Sequence, residues 1–345
     1  MSPGVAAEWS PSSRSGRRRA RLVAFAAEWS QRDGVVVSAA RLRSARVRRM
    51  VCRVRDAIAG ARPSLSFEFF PPKDPAGETA LASHVEALAP FAPDFLSVTY
   101  GAGGAADSRL SLSVRLIEML ASRGDHAPMA HLTCVGHSLV ELAKAAQDLR
   151  NAGAQAILAL RGDPPGGLTA PWTAHDGGLP HAVDLVRFLR ELGWEDIGVA
   201  AFPEGHPTAR SLAHDTEVLG AKAAAGAGFA ITQMVFDPAA YTRMAERFAA
   251  AGVQIPVLPG IMPVTAASQV PRLETMAGAP LPGELRRLLD EAGSDAGSVR
   301  KVGVMWAART AELLLSEGAP GVHLYTLNRS SSSIEVCRDL GLENR

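Results

Sequence analysis

Glu68 stands between Phe67 and Phe69 in the apolar run 64–70, so on an extended strand its carboxylate points away from both rings. Burial penalises the charged form of such a carboxylate, which raises its pKa and suits it to donate a proton near neutrality. Other short apolar runs also end in polar groups. The run 95–100 ends in Thr99-Tyr100 and enters Gly101-Ala102-Gly103-Gly104, where backbone amides can approach a ring or a phosphate. The run 129–134 carries His131 and Thr133, and 155–160 leads into Arg161-Gly162-Asp163, a cation and an anion flanking a glycine. The run 197–202 leads into Pro203-Glu204-Gly205-His206-Pro207, 229–235 carries Gln233, and 322–326 precedes Asn328-Arg329. Singly, each has a structural use: Glu68 in an ion pair, His131 as a hydrogen-bonded core residue, Arg329 as a helix cap. A packing role does not account for polar groups at the ends of most runs.

The elements that must position these groups alternate along the chain. Eight short apolar or β-branched runs, the seventh at 255–259, are separated by helical stretches at about 77–90 and 108–122 and onward, the pattern of strand–helix units around a parallel sheet. Ser138 followed by Glu141 has capping-box spacing. A longer helical excursion covers about 265–317, between the seventh and eighth strands. Eight units predict a single-domain (β/α)₈ barrel, whose reactive groups gather at the C-terminal ends of the strands. A doubly wound open sheet would place a glycine-rich fingerprint after the first strand; Phe69-Phe70-Pro71-Pro72 stands there instead.

Composition narrows the function. The chain's 36 Lys plus Arg nearly balance its 35 Asp plus Glu, but residues 1–60 hold 13 Arg and four acids, a surplus of +9. Subtracting that from the whole-chain +1 leaves −8 for residues 61–345. A mildly acidic body gives no general reason to expect a nucleic-acid or membrane-surface partner. Arg17, Arg18, Arg19 and Arg21 before the apolar stretch 22–27 imitate a secretion signal, but the stretch is short and Glu28 and Arg32 interrupt it. A basic helix could form over 39–60. We read residues 1–60 as a basic extension, disordered or mis-started, with Met50 available as a start, and 61–345 as the barrel domain. Cys52, Cys134 and Cys337 are too scattered for a disulfide framework or a zinc site, which favours a reducing cytoplasm. The sequence has no long uncharged apolar run, no HExxH pair, no nucleophile elbow and no P-loop. These features reach a metal-free barrel enzyme with a sizeable, partly anionic ligand, and not yet a reaction.

Several motifs taken together supply one. Ser66-Phe67-Glu68-Phe69-Phe70-Pro71-Pro72-Lys73, Val98-Thr99-Tyr100-Gly101-Ala102, His131-Leu132-Thr133-Cys134 and Leu160-Arg161-Gly162-Asp163 occur in order. Phe202-Pro203-Glu204-Gly205-His206-Pro207, Ile231-Thr232-Gln233, Pro259-Gly260-Ile261-Met262-Pro263 and Tyr325-Thr326-Leu327-Asn328-Arg329 follow them. In this combination, spread over residues 64–342, the chain resembles the methylenetetrahydrofolate reductase family, in the short bacterial form that lacks a C-terminal regulatory domain.

The resemblance implies two half-reactions on FAD. NADH or NADPH reduces the flavin and leaves, and 5,10-methylenetetrahydrofolate then accepts the hydride and becomes 5-methyltetrahydrofolate for methionine synthesis. It implies Glu68 as the general acid that opens the imidazolidine ring, and Asp163 as a charge beside flavin and pterin. It implies FAD contacts at Thr99, Tyr100, Ala102, His131, Arg161, Gly162, Asp163, Ala182, Phe202, His206, Ala209, Asp215 and Lys222. Phe202 stands where a tyrosine is frequent. Substrate contacts are implied at Glu68, Thr99, Asp163, Gln233, Gln269 and Arg329. A homo-oligomer is expected, with no metal, nucleic-acid or membrane partner. The alternatives are a flavin-free reductase of the same substrate and a folate- or pterin-dependent methyltransferase barrel.

Overall fold

Leu65, Phe67 and Phe69 fall on one face of the first strand and Ser66 and Glu68 on the other, and the fold buries both faces. In the computed structural model the described residues are 53–343 without 101–105, 165 and 167–169, and for 106–109 the backbone alone. Residues 1–52, with the signal-like stretch and most of the expected basic helix, and Ala102 in the glycine-rich loop lie outside the described residues.

The strands are β1 (Ser64–Phe69), β2 (Phe95–Val98), β3 (Ala127–Thr133), β4 (Ala156–Leu160), β5 (Ile197–Ala201), β6 (Phe229–Met234), β7 (Val257–Ile261) and β8 (Gly321–Tyr325). All pair in parallel in chain order, and β1 closes on β8 to complete the barrel. A helix follows each strand: α2 (Pro75–Leu88), α3 (Ala106–Arg123), α4 (Leu139–Asn151), α5 (Ala182–Glu191), α6 (Leu212–Ala224) and α7 (Pro238–Ala250). After β7 come α8 (Val270–Ala277), α9 (Gly283–Ala292) and α10 (Ala296–Ser316), and α11 (Ser330–Asp339) follows β8. This is the expected (β/α)₈ barrel with the expected excursion. The capping box forms as read: the Glu141 backbone N–H donates to Ser138 Oγ, and the Ser138 N–H donates to Glu141 Oε2 at 2.7 Å.

Outward-facing Leu65, Phe67 and Phe69 join the large cluster beneath the helices. Inside the barrel, Phe95, Met129, Leu158, Phe229 and Leu258 form an apolar plug at the N-terminal end. A short helix, α1 (Val54–Ile58), covers that end, and its Val54 and Ile58, one turn apart, are 0% and 1% exposed within the plug. Buried Asp196, just before β5, lies 3.5 Å from Arg55 Nε, and Arg53 pairs with Glu195 at 2.5 Å. The division expected at residue 60 runs just after α1, whose apolar pair packs against the barrel floor. The arginines beside Val54 and Ile58 concealed an apolar pair with helical spacing that the plug needs.

Candidate active site

The plug leaves the C-terminal half of the lumen to polar residues. Strand register sets Ser66 opposite His323 and Glu68 opposite Tyr325 across the β1–β8 seam, and Glu68 opposite Ser97 on β2. Glu68 Oε2 lies 3.3 Å from His131 Nε2 and 3.4 Å from His323 Nε2. Each imidazole also meets a hydroxyl, His131 through the nitrogen that faces Glu68 and His323 through its other one. Ser97 Oγ sits 2.7 Å from His131 Nε2, and Ser66 Oγ 2.8 Å from His323 Nδ1. The Tyr325 hydroxyl donates to the Thr232 carbonyl at 2.7 Å. A carboxylate and two imidazoles thus share a chamber closed below by hydrocarbon.

The electrostatics here correct the expectation for Glu68. Burial does push its carboxyl upward, but His131 and His323 outweigh it together and hold the group below its ordinary value. Burial lowers His131, with Glu68 opposing that shift and His323 adding to it. Burial beside Glu68 raises the Tyr325 phenol. Glu68 and His131 each act on the other's charge, so the protonation of one answers to that of the other.

A second cluster forms at the exits of β4 and β5. Lys222 on α6 is 9% exposed and donates to the Ala200 carbonyl at 3.0 Å. Burial pushes its ammonium down to about 8; Asp215 opposes this and Arg161 reinforces it. Asp215 and Lys222, seven residues apart, therefore do share a face, and it is the buried one. His206 is driven to about 4 by burial and by the charges of Arg161 and Lys222, against a weaker pull from Asp163. Its ring meets Phe202 edge-on at 4.7 Å, and its Nδ1 accepts from the Thr208 backbone at 3.1 Å. The Arg161 guanidinium lies 5.0 Å over Trp172. Gly162 has φ +82°, and a Cβ there would lie 2.6 Å from Val135 Cγ1. Beside it the buried Thr133 hydroxyl has no hydrogen-bond partner among the described residues.

Other expected residues are dispersed around this mouth. Asp163 is exposed. Thr99 extends β2, its N–H donating to the Phe69 carbonyl at 2.9 Å. Tyr100 turns inward, its hydroxyl 2.7 Å from His137 Nε2, so the phenol is engaged within the protein. Ala182 opens α5, and the Ala209 N–H donates to the His206 carbonyl at 2.7 Å. Gln233 Oε1 accepts from the Met234 backbone at 3.0 Å. Gln269 Oε1 accepts from the backbone N–H groups of Thr265 and Ala266 at 3.0 and 3.2 Å and so pins the loop after β7. Arg329 lies exposed at the N-cap of α11.

Ser66, Ser97, His323, Tyr325 and Trp172 were not foreseen. Alternation along β8 carried a usable signal: His323 and Tyr325 share the face opposite Val322 and Leu324, the same logic that places Glu68. Trp172 lies in a loop with no periodicity to read.

The chain matches the sequence model of the family described as Methylenetetrahydrofolate reductase over residues 53–341. It is 37% identical over 283 residues to the 5,10-methylenetetrahydrofolate reductase of Pectobacterium carotovorum, covering 81% of this chain and 91% of that protein. It is 31% identical over 306 residues to the methylenetetrahydrofolate reductase (NADH) 1 of Arabidopsis thaliana, covering 85% of this chain and 51% of that protein. Among solved structures, a protein from Clostridium thermocellum that binds two copies of 5-methyl-5,6,7,8-tetrahydrofolic acid shares the fold. Its TM-score is 0.55 at 13% identity, over 84% of this chain and 96% of that one. With both the family model and the bacterial relative matched over most of its length, the chain belongs to the methylenetetrahydrofolate reductase family.

Proposed function

We propose that this protein reduces 5,10-methylenetetrahydrofolate to 5-methyltetrahydrofolate in two half-reactions that alternate in one site. The donor is NADH or NADPH, the resident cofactor is FAD, and the product feeds methionine synthesis. The observation that carries this reading is the Glu68 carboxylate, partly open to the barrel mouth and set against two imidazoles. Reduction of the methylene bridge first needs its five-membered ring opened to an iminium, and that requires a proton on the departing nitrogen. Glu68, whose carboxyl the imidazoles hold low, takes up that proton and passes it to the nitrogen, and the exposed carboxylate of Asp163 favours the cation that results.

The second cluster fits the cofactor. Two cations, Arg161 and Lys222, lie close enough to depress Lys222, an arrangement that an anion such as a pyrophosphate relieves. His206, pushed to about 4, stays neutral beside them and offers a hydrogen bond without adding charge. The lone Thr133 hydroxyl and the bare backbone at Gly162 leave polar groups and close approach available at the same exit. Thr99, Tyr100, His131, Ala182, Phe202, Ala209 and Asp215 complete the set proposed to hold FAD. When bound, FAD supplies a two-electron carrier that takes hydride from the nicotinamide and gives it to the folate. Gln233, Gln269 and Arg329 are proposed to orient the folate.

The absorbance spectrum of the purified protein is the test. A flavin band that bleaches anaerobically with NADH or NADPH and returns on addition of methylenetetrahydrofolate is expected. A colourless protein that still reduces the folate would overturn the FAD assignment, and a flavin that never reoxidises with the folate would overturn the substrate.

A further inference from the structure

Among the described residues, the contacts that hold the Arg161 side chain include no carboxylate. Its Nε donates to the Gly162 carbonyl at 3.3 Å, and its guanidinium carbon stands 5.0 Å from the centre of the Trp172 ring. An aromatic face attracts a guanidinium through its quadrupole and leaves the charge in place, whereas a carboxylate there would cancel it. The charge that remains acts on Lys222 and His206 and pushes both downward.

The indole is itself fixed. Trp172 is half-buried against the large cluster beneath the helices, and its Nε1 donates to the Pro180 carbonyl at 2.8 Å. The segment around Pro180 is fastened to the exit of β3. The Leu139 N–H donates to the Gly177 carbonyl at 3.1 Å, Gly178 pairs with Ser138, and the Cys134 thiol donates to the His181 carbonyl at 3.6 Å. A Cβ at Gly178 would run into the His137 carbonyl, so the segment lies this close only because its backbone is bare there. A ring anchored on β3 thus holds a cation that leaves β4.

We propose that Trp172 is a positioning residue for anion capture: its indole face holds the Arg161 guanidinium, with its charge uncancelled, beside Lys222 where the pyrophosphate of FAD binds. The cofactor half of this proposal rests on the FAD reading above. Two cations at one exit repel each other, and without the ring the flexible Arg161 side chain would turn away from Lys222 into water. The ring keeps it in place before the anion arrives, so that less ordering is left to be done on binding. The other titratable groups acting on Lys222 and its neighbours are Asp215 from the same helix, which favours the ammonium, and His206 from the β5 exit, which stays neutral at pH 7.

The test uses the full chain in two measurements. The first needs no flavin. Lysines are Lys73, Lys144, Lys222 and Lys301 alone, so ¹³C NMR of protein labelled at lysine Cε follows each one, with Lys222 identified by its loss in Lys222→Met. Trp172→Leu frees Arg161 and should raise the Lys222 midpoint from about 8 by roughly half a unit. Arg161→Gln should raise it too, and the double variant no further than Arg161→Gln alone. A midpoint unmoved in Trp172→Leu would overturn the proposal. The second measurement is calorimetric titration of the flavin-stripped protein with FAD and with inorganic pyrophosphate. Trp172→Leu should weaken both about tenfold, and Trp172→Phe, which keeps a ring, should weaken them less. Neither change should matter once Arg161 is replaced by Gln. Losses that are the same with and without Arg161, in either Trp172 variant, would make the indole an independent part of the fold and sink the proposal. Pyrophosphate that follows the expected pattern in a wild type with no affinity for FAD would support the platform and overturn the FAD reading instead.

Discussion

The Asn328 side chain pairs with the Phe70 backbone as though another strand residue lay there. The Phe70 N–H donates to Asn328 Oδ1 at 2.9 Å, and Asn328 Nδ2 donates to the Phe70 carbonyl at 2.7 Å. Three residues past β8, this clamp ties the rim of β8 to that of β1, directly above Glu68. The backbone pays a strain cost there, because Leu327 and Asn328 have φ of 49° and 56° in the left-handed region. Asparagine tolerates that conformation better than alanine does.

Asn328→Ala loses both hydrogen bonds and keeps the left-handed φ. We expect destabilisation of about 2 kcal/mol and a several-fold rise in folate KM. Asn328→Gly relieves the backbone and should recover part of the stability but none of the KM. Urea unfolding and steady-state kinetics on the two variants check this. Equal stability for both would remove the strain from the account.

Glu68→Gln keeps the shape of the side chain and removes its exchangeable acid proton. The folate half-reaction should fall by about 10²–10⁴-fold, while oxidation of the nicotinamide by a quinone falls far less. Anaerobic stopped-flow of each half-reaction measures both. Parallel losses would show that Glu68 shapes the site rather than delivering a proton.

Lys222 gives a prediction with opposite signs for stability and binding. Its ammonium is pushed from 10.5 to about 8, so between those values the unfolded chain binds more protons than the folded one. Stability of the flavin-free protein should therefore rise as pH increases across that window, and below it the charge costs on the order of 3 kcal/mol. Lys222→Met should raise the flavin-free Tm at pH 7, flatten the alkaline rise, and weaken FAD binding at least about tenfold. Thermal unfolding with and without FAD decides it: a lower Tm together with unchanged FAD retention would contradict both halves.

Ile58 tests where the domain begins. Ile58→Ala opens a cavity at the floor of the barrel and should cost about 2–4 kcal/mol, since the side chain is 1% exposed. The ratio of the two half-reaction rates should not change. An unchanged urea midpoint would put α1 outside the folding unit.

Much of this architecture was legible because strands report their own faces. The order Ser66, Phe67, Glu68, Phe69 was enough to place a carboxylate in the lumen, and the spacing of Asp215 and Lys222 was enough to put them on one side of α6. The sign of the Glu68 shift was not legible, because the imidazole that helps reverse it lies 255 residues away and meets it only across the β1–β8 seam. The helix expected over 39–60 takes in α1, but its burial was not legible: five residues with two arginine neighbours look like a solvated helix until the barrel floor supplies their partners. Trp172, which carries the Arg161 guanidinium, lies in a loop where neither period nor propensity speaks.

The seam between the first and last strands has a consequence for how the molecule comes into being. Ser66 and His323, 257 positions apart, are neighbours solely because β1 closes on β8. Contacts of such separation form late, since the loop entropy must be met before they contribute. During synthesis Glu68 emerges early, yet its imidazole partner on β8 emerges only after the seven other strands. A nascent or truncated barrel therefore holds Glu68 without His323, and the polar chamber around the carboxylate is completed only when the fold closes.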